Sequence, residues 1–162
     1  MTIKMIIATD CNFGIGKDNK LPWNCVEDLQ YFKEKTYGSV VVMGGNTFKS
    51  LGCKSLKGRE NYVLYESNHY VRHHWPDVEF FNATRFLSYL PNIAADIWVI
   101  GGAKTYALLL PYVEEIHHTI IDGVYDCDTF FNMEFLEDWA LVGGKDLAEN
   151  AVVNVWRKND LT

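Results

Sequence analysis

Short apolar runs, each closed by turn-forming residues, recur along most of the chain and set its expected architecture. They cover residues 2–9, 39–43, 61–65, 78–81, 96–100 and 114–121, with two later runs at 138–146 and 151–158. These runs are short and rich in Val, Ile and aromatic residues, and they read as β-strands. SVVVM and IWVI are apolar without alternation, the pattern of strands covered on both faces. Helical patterns lie between the strands at 25–36, 45–51, 83–90 and 102–110. Strands alternating with helices predict an α/β fold, with one mostly parallel eight-stranded sheet and about four flanking helices. No helix separates the last two runs, so the sheet is expected to end in an antiparallel hairpin. A length of 162 residues suits one domain with one sizeable core, spanning 1–162.

In such sheets, ligands bind beyond the carboxyl ends of the strands, where strand order reverses. Three turns of unusual composition fall there: the loop from Asp10 to Trp23, Met43-Gly44-Gly45, and Ile100-Gly101-Gly102. GIGKDN in the first loop lacks the third glycine of a dinucleotide fingerprint and runs on to Pro22-Trp23 instead of opening a helix. It suits a mobile loop covering a ligand, or an ordinary surface loop. WVIGGAKTYALLLP and VVVMGGNTFKSLG share one design, a buried strand, a glycine pair and an immediate helix. Glycine lets a ligand approach the backbone, and the free N–H groups of a helix start suit a phosphate. Close helix–strand packing would also select glycine. The repetition suggests two phosphates, or one pyrophosphate held from both sides.

The helix after Trp23 poses the sharpest question. Asn24 is expected as its N-cap, with Glu27 three residues on as a capping box. Asp28 then sits in the first turn, where the helix dipole favours an anion. Yet Asp28 and Phe32 share a face, with Leu29 beside them, and Leu29 and Phe32 are expected to face the core. An acid bordering that stripe would be partly buried, requiring a partner or a raised pKa. Dipole stabilisation and a binding role both remain open on this pattern alone.

Composition narrows the classes. Apolar residues make up 48% of the chain and the net charge is −6, with Lys and Arg scattered. That argues against a nucleic-acid or anionic-membrane binder. No apolar run approaches the ~20 residues that cross a bilayer. The opening MTIKMIIATD reads as a first strand, not a signal peptide, so a cytoplasmic protein is expected. Cysteines 11, 25, 53 and 127 form no CxxC pair and are expected to be reduced thiols. His73-His74 and His117-His118 are the other candidates for metal chemistry, but neighbours on a strand point to opposite faces, and no metal site is expected.

Several segments, taken together and in order, resemble the dihydrofolate reductase family. They are Ile15-Gly16, Leu21-Pro22-Trp23, Asp28, Phe32 and Thr36, then Val42-Met43-Gly44 with Thr47 and Ser50, and Leu56-Lys57-Gly58-Arg59. Val99-Ile100-Gly101-Gly102 with Tyr106, Thr119, and Asp128-Thr129 with Phe131 continue the series, which weakens beyond about Phe131. The resemblance implies reduction of 7,8-dihydrofolate to 5,6,7,8-tetrahydrofolate for one-carbon and nucleotide biosynthesis, with hydride passing from NADPH to C6 and a proton reaching N5. It implies catalytic roles for Asp28, Trp23, Tyr106 and Thr119, with Asp28 bonding the pterin edge, Thr119 supporting it and Trp23 ordering a water. Ile6, Ala8, Leu21, Leu29, Phe32, Leu51, Leu56 and Ile100 would line the substrate pocket, and Arg59 would hold the glutamate carboxylate. The cofactor would lie on Ala8, Ile15, Gly16, Asn19, Gly44, Gly45, Asn46, Thr47, Leu64, Tyr65, Glu66 and the run from Ile100 to Tyr106, including Gly101, Gly102, Ala103, Lys104 and Thr105. The Gly101–Gly102 bond is expected to be cis, antifolates are expected as ligands, and a monomer is expected.

Two places depart from the family pattern. Gly45 stands where a basic residue is usual, and Tyr65-Glu66 where Ser or Thr and then Arg or Ser are usual, at the adenosine 2′-phosphate. An acid there suits the free ribose hydroxyls of NADH, so NADH is expected to be tolerated beside NADPH. Lys104, Lys49 or Arg72 could compensate. Two rivals are a pyrimidine reductase of riboflavin synthesis, which should lack the Trp23/Asp28/Phe32/Arg59 set, and a catalytically idle nucleotide-binding module.

Overall fold

A computed structural model describes residues 1–66 and 75–159. Its strands are β1 (Ile3–Thr9), β2 (Gly14–Gly16), β3 (Val40–Gly44), β4 (Glu60–Leu64), β5 (Val78–Phe81), β6 (Ile97–Gly101), β7 (Glu115–Ile121), β8 (Thr129–Phe130), β9 (Trp139–Ala148) and β10 (Ala151–Lys158). The helices are α1 (Val26–Thr36), α2 (Gly45–Ser50), α3 (Ala83–Tyr89) and α4 (Ala103–Leu109). Eight strands form one sheet in the order β5-β4-β3-β6-β1-β7-β10-β9. All neighbours are parallel except β10, which runs antiparallel to β7 and β9. The expected eight-stranded α/β sheet with a closing hairpin is therefore the one observed. The two-stranded ribbon of β2 and β8 was not expected from the sequence, because three and two residues are too short to show a period.

Strand alternation divides the core. Ile3, Met5 and Ile7 of β1 join Val40, Val42, Val99 and Phe86 on the α3/α4 side. Ile6 joins Val41, Met43, Phe48 and Trp98 on the α1/α2 side. The chain leaves β1 for β3 and returns later to insert β6 between them, so the order reverses there. The carboxyl ends of β1, β3 and β6 converge at that point, and the three unusual turns leave from it.

Helix α1 differs from expectation twice. Asn24 is exposed and caps nothing; Cys25 is the N-cap residue, without a side-chain cap bond. Trp23 and Cys25 are both buried in one cluster with Ile121 and Ala151, which keeps this segment extended until residue 26. Leu29 is 53% exposed instead of facing the core. The buried positions of α1 are Tyr31 and Thr36; Tyr31 packs with Ile6, Trp98 and Val153 and bonds His117 of β7.

The paired histidines of β7 do point to opposite faces. His118 Nε2 lies 2.8 Å from Thr9 Oγ1, while His117 meets Tyr31 and Glu115. Burial lowers the His118 pKa to about 4. The unfolded chain therefore binds a proton at about pH 6.5 that the folded chain refuses until about pH 4, so stability is lost as pH falls through that window. Urea melts at pH 7 and pH 4.5 should show a loss of about 2–3 kcal/mol that largely disappears in His118→Asn. All four cysteines are free. His73, His74 and Arg72 lie outside the described residues.

Candidate active site

Asp28, in the first turn of α1, faces Thr119 of β7, whose hydroxyl acts on its carboxyl group. Burial raises the Asp28 pKa and the Thr119 bond pulls it only partly back. Tyr106 of α4 is fully buried nearby, its phenol pushed up by burial and by the Asp28 charge, and its O–H donates to the Ile6 carbonyl at 2.9 Å. Trp23 is 8% exposed, stands edge-on to Tyr125 at 5.5 Å, and its buried Nε1–H has no partner among the described residues. A donor, an acceptor and an ionisable carboxylate thus meet at the carboxyl end of β1 and β7.

Beside them Ile6, Phe32, Leu51, Leu56 and Ile100 pack into one apolar cluster. Ala8 packs instead with the Trp23 cluster, and Leu21 and Leu29 are exposed at 47% and 53%. Arg59 closes this end: its guanidinium stands 6.0 Å over the Phe32 ring, with Nε donating to the Lys57 carbonyl and Nη1 to Thr36 Oγ1. Asn61, 2% exposed, saturates its amide on the same loop. It accepts from Leu56 N–H and donates to the Leu56 and Arg59 carbonyls. Neither Asn61 nor Asp10, described below, was a candidate from the sequence. A lone amide at a strand start gives no signal, whereas Asp10 before Asn12 at a strand end fits an Asx-turn start.

The second end lies on glycine. A Cβ at Gly44 would stand 2.7 Å from Thr105 Oγ1 and near the Gly101 carbonyl, so any side chain there would fill the gap between β3 and α4. The Gly101–Gly102 bond is cis. Helices α2 and α4 start from Gly44 and Gly102 with no side-chain cap, and Thr47 and Thr105 stand at the same gap. The uncapped N–H groups of Gly45, Asn46, Ala103 and Lys104 and the two hydroxyls fit a diphosphate. Asn19 ties the loop over this gap to α2 through the Asn46 carbonyl at 2.9 Å. Ile15 and Gly16 form part of the β2–β8 ribbon. Leu64 is buried at the end of β4, Tyr65 packs near Phe80, and Glu66 pairs with Lys104 at 3.5 Å, both side chains exposed. This end accommodates a dinucleotide, with an acid and a lysine at its far edge.

Asp10 joins the covering loop to a second one. Its carboxylate, 1% exposed, accepts from Asn12 N–H, Gly14 N–H and Tyr125 N–H, with the Cys127 thiol 3.7 Å away. Burial pushes this carboxyl up, but those bonds outweigh it and hold the pKa below the ordinary value. A Cβ on Gly14 would meet Cys127 Sγ at 2.4 Å. Asp18 N–H also donates to Asp128 Oδ2 at 2.9 Å.

Comparison with known proteins meets this geometry. Residues 2–155 match the family model for dihydrofolate reductase. The chain is 36% identical to dihydrofolate reductase of Haemophilus influenzae over 144 residues, covering 87% of this chain and 85% of that one. It is 36% identical to that of Bacillus subtilis over 149 residues, covering 88% and 83%. A solved dihydrofolate reductase from Enterococcus faecalis, complexed with NADP(H) and RAB-propyl, superposes with a TM-score of 0.88 at 28% identity, covering 98% of this chain and 97% of that one. With sheet order, cleft and sequence in agreement along its length, the chain belongs to the dihydrofolate reductase family.

Proposed function

We propose that the two-ended cleft reduces 7,8-dihydrofolate to 5,6,7,8-tetrahydrofolate, the reaction of this family, and that the roles divide as follows. The observation that carries the assignment is Asp28: a carboxyl with a raised pKa, held by Thr119 beside an apolar wall. Two hydrogen bonds from an amidine-like pterin edge match a carboxylate and are charge-assisted. Phe32, Leu51, Leu56, Ile6 and Ile100 flank the rings, and Arg59 takes the glutamate carboxylate. Trp23, whose Nε1–H is buried and unpaired among the described residues, orders a water near the pterin, and Tyr106 serves the nicotinamide end. Bound NADPH supplies the hydride delivered to C6. The loop from Cys11 to Leu21 covers the reacting atoms and excludes water.

The same reading holds that Lys104 neutralises Glu66 at the far edge, leaving NADPH as cofactor with modest discrimination against NADH. Steady-state assays that follow nicotinamide absorbance with dihydrofolate test both points. Oxidation of NADPH only when dihydrofolate is present supports the reaction, and cofactor binding without oxidation supports an idle module. A kcat/KM ratio of NADPH over NADH beyond about a thousandfold defeats the discrimination argument. The same reading takes the protein as a cytoplasmic monomer, one domain over 1–162, that engages small molecules, and its net charge of −6 speaks against nucleic acid and anionic membranes as partners.

A further inference from the structure

Below the Asp28–Thr119 contact runs a second polar bridge between α1 and β7. Tyr31 follows Asp28 by one helical turn, and His117 precedes Thr119 by one strand repeat, so both pairs share the facing surfaces. Tyr31 Oη lies 2.5 Å from His117 Nδ1, and His117 Nε2 lies 2.6 Å from Glu115 Oε1. Arg157 of β10 donates to the other Glu115 oxygen at 3.1 Å. Tyr31 and His117 are each 4% exposed. The carboxylate can only accept, so His117 carries its proton on Nε2 and the Tyr31 O–H donates to Nδ1. Donation thereby runs from phenol to imidazole to carboxylate, and the Arg157 guanidinium donates to the same carboxylate from the other side.

We propose that Tyr31, His117 and Glu115 are positioning residues for Asp28. Their bridge fixes the rotation and height of α1 over β7, and so holds the Asp28 carboxylate against Thr119. This inference rests on the assignment of Asp28 above. One bridge would leave the helix free to pivot; two, a turn apart, remove that freedom. The groups facing the bridge are Lys4 of β1, Arg157 of β10, Lys145 of β9, and Lys35 and Asp28 of α1. Trp98 of β6 stands edge-on to His117 at 4.9 Å, and Tyr106 of α4 faces Asp28 from the other side. Among the described residues, no cation bonds His117 directly.

Carboxyl-carbon NMR on aspartate-labelled protein tests the proposal without substrate. The Asp28 resonance is assigned by its loss in Asp28→Asn, and its titration is compared among wild type, Tyr31→Phe, His117→Leu and His117→Gln. Releasing α1 weakens the Thr119 bond, so Tyr31→Phe and His117→Leu should raise the Asp28 titration midpoint by roughly half a pH unit or more. In the kinetic assay the same variants should raise KM for dihydrofolate about five- to tenfold, with a smaller change in kcat. Glutamine can accept from Tyr31 and donate to Glu115, so His117→Gln should recover most of both effects. If Tyr31→Phe lowers the melting temperature but leaves the Asp28 titration and KM unchanged, the bridge is structural only and the proposal is overturned. The phenyl ring keeps the packing of Tyr31, so this variant decides the matter even if His117→Leu does not fold. Absence of turnover in the wild type would count against the proposed function alone, since the titration is read on the free protein.

Discussion

Asp28→Asn should lower dihydrofolate turnover at neutral pH by on the order of a hundredfold or more, while the fold becomes no less stable. The two halves of that result have one cause. Burial raises the Asp28 pKa above its value in an unfolded chain. The folded protein thus binds the Asp28 proton more tightly than the unfolded one. Its contribution to stability is fully present below the ordinary aspartate pKa and is lost as pH rises through the raised value. The native state withdraws the carboxylate partly from water, which disfavours its charged form, and Thr119 only partly offsets that. Asparagine removes that penalty and keeps the shape. It cannot supply the negative charge or the proton equilibrium that a pterin edge requires. Kinetics and thermal melts on the same preparation check the prediction. Near-wild-type turnover would remove Asp28 from its role, and a marked loss of melting temperature would show that its charge stabilises the fold.

The second large effect concerns the opposite end of the substrate. Arg59→Ala should raise KM for dihydrofolate about a hundredfold with kcat altered only a few-fold. The guanidinium is already oriented in the free protein: one N–H is fixed on the Lys57 carbonyl, another on Thr36, and the plane stands over Phe32. Of its five donors, several remain for a carboxylate, and each charge-assisted bond lost costs about 1.5–3 kcal/mol. Because the group is pre-oriented, little entropy is recovered on removing it. A dihydropterin without the glutamate tail should be reduced equally well by wild type and variant. Equal losses on both substrates would place the effect of Arg59 elsewhere. Arg59→Lys should fall between, since an ammonium cannot reproduce the fork.

The sheet was legible in the sequence because each central strand carries its own burial signal: Val40 to Met43 and Ile97 to Val99 are apolar at every position and almost wholly buried. The glycine turns were legible as well, since a strand ending in paired glycine before a helix has few structural uses. The orientation of α1 was not. Hydrophobic periodicity placed Leu29 inward, whereas the inward positions hold Thr36, which bonds Arg59, and Tyr31, which bonds His117, a partner more than eighty residues away. The cap failed for a related reason, as burial of Trp23 and Cys25 delays the helix past Asn24. Asn61 escaped notice because its partners are backbone groups, which leave no trace in composition, while Asp10 carried only the Asx-turn signal of an acid at a strand end.

The carboxylate of Asp10 and the contact of Gly14 with Cys127 bear on how this enzyme can be re-engineered. The covering loop and the segment from Tyr125 to Asp128 share one buried acid and one atom-tight seam. A covering loop borrowed from a relative with a side chain at position 14 would force the thiol at 127 out of its place. Loop exchange at this active site is therefore a two-segment operation: residues 10–20 and 122–129 are grafted as a matched pair, and a chimaera carrying only one of them inherits a seam cut for a different partner.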